Sequence, residues 1–198
     1  MIKKLSLLYV NWLIKNGADE KKRQVYMYGM EGFLSEVISN VLLFSIAALI
    51  LNMVVAAIFW SLGFLFCRVI FGGFHAKTHF KCILISTIYG ALCLFILKTF
   101  IFPLPLIVAG IIFSIVISLT IVPVTHPNRP LSETRQKFFQ KIAPIITLSE
   151  SSIILILYFC HIQSISGYVF LGMFSAAMLS LAGKLSQKFI SQPLNKET

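Results

Sequence analysis

The sequence predicts an all-α integral membrane protein, in which six transmembrane helices form three hairpins after an N-terminal amphipathic interfacial helix. Three observations predict this class. Hydrophobic residues make up 58% of the 198-residue chain and charged residues only 12%, against roughly 25% charged in soluble domains. The apolar residues form six runs near the length of about 20 residues that a helix needs to cross a bilayer. The Lys and Arg residues gather between alternate runs.

The first element is a helix over residues 1–16, because apolar side chains recur there near helical spacing while most cations fall elsewhere. Such a pattern is typical of a helix that lies in the membrane interface. It serves either as a plain membrane anchor or as a platform that also receives an amphipathic partner, and the sequence leaves both open. We divide the chain into an N-terminal amphipathic and cytoplasmic segment (1–30), a polytopic membrane domain (31–190) and a cytoplasmic tail (191–198).

The six spans pair as three hairpins, and each pair is parted by polar or helix-breaking residues. The predicted spans and breaks are two spans within Val37–Cys67 that turn at Asn52; Cys82–Leu97 and Leu104–Val122, parted by Lys98, Pro103 and Pro105; and Ile142–Tyr158 and Ile165–Leu185, parted by His161, Gln163, Ser164 and Ser166.

The net charge of +10 is explained by topology. Of the 17 Lys and Arg residues, all but Lys98 fall in the N-terminal segment, the polar loops 68–81 and 123–141, or the C-terminal stretch that holds Lys184, Lys188 and Lys196. The positive-inside rule therefore places both termini and both loops in the cytoplasm. Contact with anionic lipid headgroups accounts for the basic charge, and no segment resembles a nucleic-acid-binding module.

The cysteines and histidines show neither a disulfide framework nor zinc-site spacing, so we predict no metal and no cofactor. Cys67, Cys93 and Cys160 are expected in the core, and His126 and His161 in solvated loops. We expect the hydroxyls of Ser149, Ser151 and Ser152 to bond to helix backbone or to neighbouring helices.

The densest group of reactive side chains lies between Arg68 and Cys82, where the loop offers a thiol, two imidazoles and three cations. A cysteine nucleophile needs a base or a local positive field to become a thiolate. His79 is three residues before Cys82 and would adjoin it on a continuous helix, whereas His75 is seven before, about 10.5 Å along a helix. The pair Gly72-Gly73 would allow His75 to fold back toward the thiol. Spacing leaves the choice of base open, and a basic loop with an incidental cysteine is the non-catalytic alternative.

The motif in this loop resembles the core motif of the accessory gene regulator B family of bacterial membrane peptidases. The resemblance rests on Arg68, Gly72-Gly73, His75-Ala76 and Cys82, and a later run of Pro123 and Pro127-Asn128-Arg129-Pro130-Leu131 is similar to the family's second cytoplasmic loop. It extends to the chain length, the six-span layout and the amphipathic N-terminus.

The resemblance implies a cysteine endopeptidase that removes the C-terminal part of a quorum-sensing precursor peptide and assists closure of the remainder into a thiolactone or lactone. The catalytic pair would be His75 and Cys82, with His79 in a supporting or surface position. The implied partners are a small amphipathic precursor, membrane lipids and a second copy of the chain in a homodimer.

Further polar residues are candidates for supporting roles. Glu36 and Glu150, expected near the cytoplasmic ends of spans one and five, would orient His75, bind a basic precursor segment, or simply lie at helix N-termini where the dipole stabilises them. Arg68 would pair with one of them, hold a precursor carboxylate or set topology, and Lys77 adds to the positive field. The rival function is a non-enzymatic small membrane transporter or scaffold for peptide or lipid. A metalloprotease is disfavoured because no HExxH motif appears.

Overall fold

A computed structural model describes residues 2–73, 78–125 and 131–190, with the backbone alone for His79 and for residues 188–190. The chain is helical almost throughout these ranges. The helices are α1 (Ile2–Lys15), a 3₁₀ turn (Glu20–Lys22), α2 (Arg23–Ile46) with a π-helical extension (Ala47–Leu51), α3 (Val54–Phe71), α4 (His79–Thr99), α5 (Leu104–Thr120), α6 (Glu133–Phe159) and α7 (Gln163–Ile190).

The predicted all-α membrane class is confirmed, and each of the six predicted apolar segments forms a helix. Five helical segments in the described ranges are long and apolar enough to cross a bilayer. The sixth, α5, is apolar but has 17 residues, so the count of six spans stays a prediction. The predicted N-terminal helix is also present as α1, with Ser6 and Val10 on its buried side.

Two helix boundaries show how local chemistry sets the limits of the spans. Asn52 adopts a left-handed conformation with φ 55° between α2 and α3, which confirms the predicted turn. The fifth span differs, because α6 begins at Glu133, nine residues before the predicted Ile142. Ser132 caps this helix by accepting a hydrogen bond from the backbone N–H of Arg135 at 3.4 Å, so the polar residues before the apolar run are helical too.

The chain divides into two compact units, of which the first contains α1, α2 and α4 up to Phe95. In this unit α1 packs on α2, and Arg23 at the start of α2 donates hydrogen bonds to Asn11 and, at 2.8 Å, to Glu20. Further along, α4 meets α2 at Gly90, where the side chain of Leu43 lies 2.8 Å from the position that a Cβ would take. The missing side chain at Gly90 therefore allows this helix contact.

The second unit contains α3, the end of α4 and helices α5 to α7. Its centre is the contact between α3 and α7, where two glycines allow the backbones to touch. A Cβ on Gly63 would lie 2.5 Å from the carbonyl oxygen of Val169, and a Cβ on Gly172 would lie 2.7 Å from the backbone nitrogen of Phe64. Close approach through small residues is the usual way in which membrane helices associate.

We expect Gly172→Ala to lower the stability of the protein by about 1–3 kcal/mol, because overpacking forces the two helices apart. The added methyl would meet backbone atoms of α3, which cannot rotate away. Thermal unfolding of the purified protein in detergent measures the effect. Gly167→Ala is the matched control in the same helix: its Cβ would make an ordinary contact of 3.5 Å with Phe102, and its melting temperature should not fall. Equal melting temperatures for the two variants would contradict this account of the α3–α7 contact.

Candidate active site

The end of α3 is shaped by Gly72 and Gly73, which break the helix before His75. The helix stops at Phe71, and Gly72 follows with φ 68° and ψ −150°. Gly73 has φ 144°. Only glycine adopts such angles without strain, so these two residues end the helix.

This turn is held in place by the rest of the second unit. Gly72 forms an isolated parallel β-bridge with Val124, whose backbone N–H donates to the carbonyl oxygen of Phe71 at 2.9 Å. The carbonyl oxygen of Gly72 accepts hydrogen bonds from the guanidinium of Arg68 and, at 3.3 Å, from the hydroxyl of Ser180. These bonds fix the backbone from which the candidate catalytic loop leaves.

Arg68 thus stabilises the turn formed by Gly72 and Gly73, called the glycine turn below, and in this sense acts as its clamp. Its guanidinium also lies where a side chain on Gly73 would be, so the small residue at position 73 makes room for it. The arginine is half-buried. Its sequence-based roles as partner of Glu36, partner of Glu150 or carboxylate ligand stay predictions, and the clamp is a role that spacing did not indicate.

Cys82 lies in the first turn of α4, in the first unit. Its backbone N–H donates to the carbonyl oxygen of Thr78 at 3.0 Å, and the N–H of Lys81 donates to the Thr78 hydroxyl at 3.3 Å. Thr78 therefore caps the helix start. Helical side chains lean toward the N-terminus of their helix, so the half-buried thiol leans toward the helix end, which carries the positive end of the dipole. Lys81 adds an exposed cation in the same turn.

Several predicted site residues lie outside the described residues. These are His75 and Lys77 in the loop between α3 and α4, together with His126, Pro127, Asn128, Arg129 and Pro130 in the second loop and the tail 191–198. His79 is the first residue of α4. It therefore shares a continuous helix with Cys82, as the spacing argument for it assumed, and the choice between the two histidines stays a prediction.

The expectation that Glu36 and Glu150 lie near helix N-termini is wrong. The helix α2 begins at Arg23 and α6 at Glu133, because polar residues extend each helix well before its apolar run. Glu150 therefore follows the start of α6 by about 25 Å at the helical rise per residue. Glu36 is half-buried, and its backbone carbonyl accepts hydrogen bonds from Ser39 at 2.9 Å and Asn40 at 3.0 Å.

Glu150 instead pairs with a cysteine in the interior of the second unit. The thiol of Cys67 on α3 donates to Glu150 Oε2 at 3.0 Å. Cys67 is fully buried, and Glu150 is 6% exposed. Gly63, one turn before Cys67, makes space for this carboxylate, because a Cβ there would lie 2.9 Å from Glu150 Oε1.

A second buried carboxylate, Glu31, was missed by the sequence analysis. It lies on α2 in the first unit and is 9% exposed, and its backbone carbonyl accepts a hydrogen bond from Ser35 at 2.8 Å. The signal was present in the sequence: Glu31, Ser35, Ser39 and Leu43 recur every four residues and form the buried face of α2.

The remaining sequence predictions concern the burial of the other cysteines, the hydrogen bonds of three serines and the position of His161. Cys67 and Cys93 are buried as expected, but the prediction for Cys160 is wrong, because this residue directly follows α6 as its C-cap and is exposed. Ser149, Ser151 and Ser152 each donate to the carbonyl oxygen four residues earlier at 2.6–2.9 Å, as predicted. His161 is an exposed residue of the turn before α7 with φ 63°. Within the described ranges, no three His, Cys, Asp or Glu residues form a group suited to a metal.

Comparison with known proteins gave one family. A family model described as Accessory gene regulator B matches residues 6–181 of the 198-residue chain. The matched range runs from α1 to α7 and includes both loops discussed above. Neither the curated proteins nor the solved structures contain a match to this chain.

Proposed function

Since this chain belongs to the accessory gene regulator B family, we propose that it is a membrane cysteine endopeptidase that processes a small precursor peptide. The family acts in the accessory gene regulator quorum-sensing system and consists of membrane proteins similar to cysteine proteases. The enzyme removes the C-terminal part of the precursor and assists closure of the remainder into a thiolactone or lactone. The observation that carries the proposal is a half-buried free thiol in the capped first turn of α4, next to the motif loop.

The first chemical step is attack of the Cys82 thiolate on the scissile carbonyl carbon of the precursor. His75 takes the thiol proton as general base and later gives it to the leaving amine as general acid. The carbon–nitrogen bond breaks, the C-terminal fragment leaves with a free amine, and an acyl-enzyme thioester remains. The start of α4 carries the positive end of the helix dipole, which suits it to stabilise the negative charge that develops on the carbonyl oxygen.

The second step passes the acyl group to the precursor itself. A thiol or hydroxyl of the bound peptide attacks the thioester, its proton goes to His75, and Cys82 leaves as thiolate, which His75 then reprotonates. Because the acyl group passes from the Cys82 thioester directly to the thiol or hydroxyl of the peptide, the energy of the thioester is used for ring closure. The reaction therefore requires neither a metal nor ATP. Cyclisation exceeds hydrolysis only if the site limits water, and a site at the membrane interface would do so.

The supporting residues act on the geometry and the charge of the loop. Gly72, Gly73 and Arg68 shape its first part, and Lys77 and Lys81 supply positive charge near the thiol. We place the protein in the bacterial cell membrane, with the termini and the site on the cytoplasmic side, where the positive-inside rule locates the basic loops. The substrate is a short amphipathic peptide at that surface, and a homodimer is compatible with the family.

Two parallel variants decide which histidine is the base. We expect His75→Ala to lower precursor cleavage by about 10²–10⁴-fold, the usual contribution of a general acid–base group, and His79→Ala to cleave at near the wild-type rate. Co-expression with the precursor, followed by mass analysis of the products, measures both. Loss of activity in His79→Ala instead would make the helical pair His79 and Cys82 the site.

Mass analysis of the same products also tests the ring closure. The cyclic product is lighter by one water than the linear peptide that hydrolysis gives. A mainly linear product from purified wild-type protein in lipid would contradict the cyclisation step. Equal cleavage with and without this protein would contradict the peptidase itself and favour the transporter or scaffold.

A further inference from the structure

The interior of the second unit contains a hydrogen-bonded pair that the peptidase mechanism does not use. Cys67 on α3 donates to Glu150 on α6 at 3.0 Å, although the two residues are 83 positions apart in the sequence. Both helices are apolar and long enough to span a bilayer. A carboxylic acid inside such a bundle is costly and marks a functional role by default.

Neither an ion pair nor the dipole at the start of α6 explains how the carboxyl group of Glu150 is accommodated in the interior. Neither of the observed ion pairs, Lys22 with Asp19 and Arg23 with Glu20, involves this carboxyl group. Its Oε1 atom is buried without a hydrogen-bond partner among the described residues, and the carboxyl group lies far from the N-terminus of α6. The interaction that the structure shows for this carboxyl group is the hydrogen bond from the Cys67 thiol.

Cys67 connects this carboxyl group to the glycine turn. The next residue, Arg68, clamps the carbonyl oxygen of Gly72. One helical turn after Cys67, the fully buried Phe71 accepts the hydrogen bond from Val124 at 2.9 Å. Cys67 thus lies one helical turn before the end of α3, after which the chain continues to His75.

We propose that Glu150 is a positioning residue for the peptidase, which acts through its hydrogen bond with Cys67 to hold the C-terminal turn of α3 and the glycine turn in the orientation that catalysis needs. This inference rests on the proposed function. Its role requires the acceptor oxygen of Glu150 and a donor at position 67, and it requires no contact of either residue with the substrate.

The kinetic test compares variants that break the bond with variants that keep it. Glu150→Leu and Cys67→Ala remove the acceptor and the donor, and we expect each to lower kcat for precursor cleavage about tenfold or more, since small displacements of catalytic groups cost this much. KM should stay within about twofold, because the pair does not bind substrate. Glu150→Gln and Cys67→Ser keep the bond and should retain most of the activity. The double variant Glu150→Leu with Cys67→Ala should be no slower than the worse single variant, since coupled residues are not additive.

A second readout is independent of activity. Hydrogen exchange of the full-length protein in lipid nanodiscs should show faster exchange over residues 68–73 and 122–125 in Glu150→Leu and Cys67→Ala, because these segments carry the bonds that the pair supports. Cys160→Ala, which removes an exposed cysteine from the same unit, is the control and should exchange as wild type does in both segments.

The outcomes separate this inference from the proposed function. Wild-type protein that cleaves no more precursor than Cys82→Ala would overturn the peptidase, and with it the catalytic role of the pair. If the wild type cleaves, three results would each overturn the positioning role alone. One is unchanged hydrogen exchange over residues 68–73 in Glu150→Leu. The others are an equal loss of activity in Glu150→Gln and Glu150→Leu, and additive losses of activity in the double variant. A fall in the amount of folded protein with unchanged kcat per folded molecule would also overturn it.

Discussion

Cys82→Ala is expected to reduce release of the precursor's C-terminal fragment by about 10⁴-fold or more, because the variant lacks the nucleophile of a covalent mechanism. The thiol lies in the capped first turn of α4 and is half-buried, so a methyl group there should leave the helix intact. Membrane insertion and the melting temperature should match the wild type. Mass analysis of the precursor after co-expression measures the loss, and a blot of the membrane fraction measures insertion.

Cys82→Ser refines this test, because serine keeps the size and polarity of the side chain but is a far weaker nucleophile without a strong base. It should be nearly as inactive as Cys82→Ala. Cys160→Ala is the control, since it removes an exposed cysteine and should cleave as wild type does. If Cys82→Ala inserts normally and still processes the precursor, the proposed nucleophile is wrong.

Gly72→Ala is expected to cause the second large loss, about 10²-fold or more in cleavage rate, through displacement of the loop toward His75. The backbone at Gly72, with φ 68° and ψ −150°, lies in a region that only glycine occupies. An added Cβ would also collide with the carbonyl oxygen of Val124, which belongs to the β-bridge itself. The bridge must open or the turn must change, and both alter the end of α3.

Gly17→Ala is the matched control for backbone strain. Gly17 has φ 96°, but a Cβ there would meet nothing within 4 Å. It should lower stability modestly and leave cleavage unchanged. A Gly72→Ala variant that is as active as Gly17→Ala would show that the bridge between Gly72 and Val124 is not needed for catalysis.

The fold was largely predictable because local patterns determine it. Apolar runs of bilayer length gave the helices, and Asn52 gave the position of the first turn. The start of α6 was not predicted, because hydropathy reports membrane depth and not helix ends. Ser132 extends the helix through a cap, and the charged residues that follow it remain helical although they are too polar for a membrane core.

The candidate site was only partly predictable, because some of its contacts join distant parts of the chain. The glycine turn could be inferred from two adjacent glycines, whereas its ties to Val124 and Ser180 could not. The bond between Cys67 and Glu150 leaves no local pattern, since each residue alone looks like a core cysteine or a helix-end acid. Glu31 was not predicted for a different reason, because its burial follows from a four-residue repeat along α2 and not from any single residue.

The two tryptophans differ in burial, so their fluorescence can report on two different parts of the protein. The chain has two tryptophans: Trp60, which is 3% exposed and stacked on Phe64 at 5.1 Å, and Trp12 on α1, which is 60% exposed. Their emission spectra should therefore differ in the same sample. With Trp12→Phe, the remaining fluorescence follows the interior around α3 during unfolding. With Trp60→Phe, it follows the surroundings of α1 when the protein is moved from detergent into lipid.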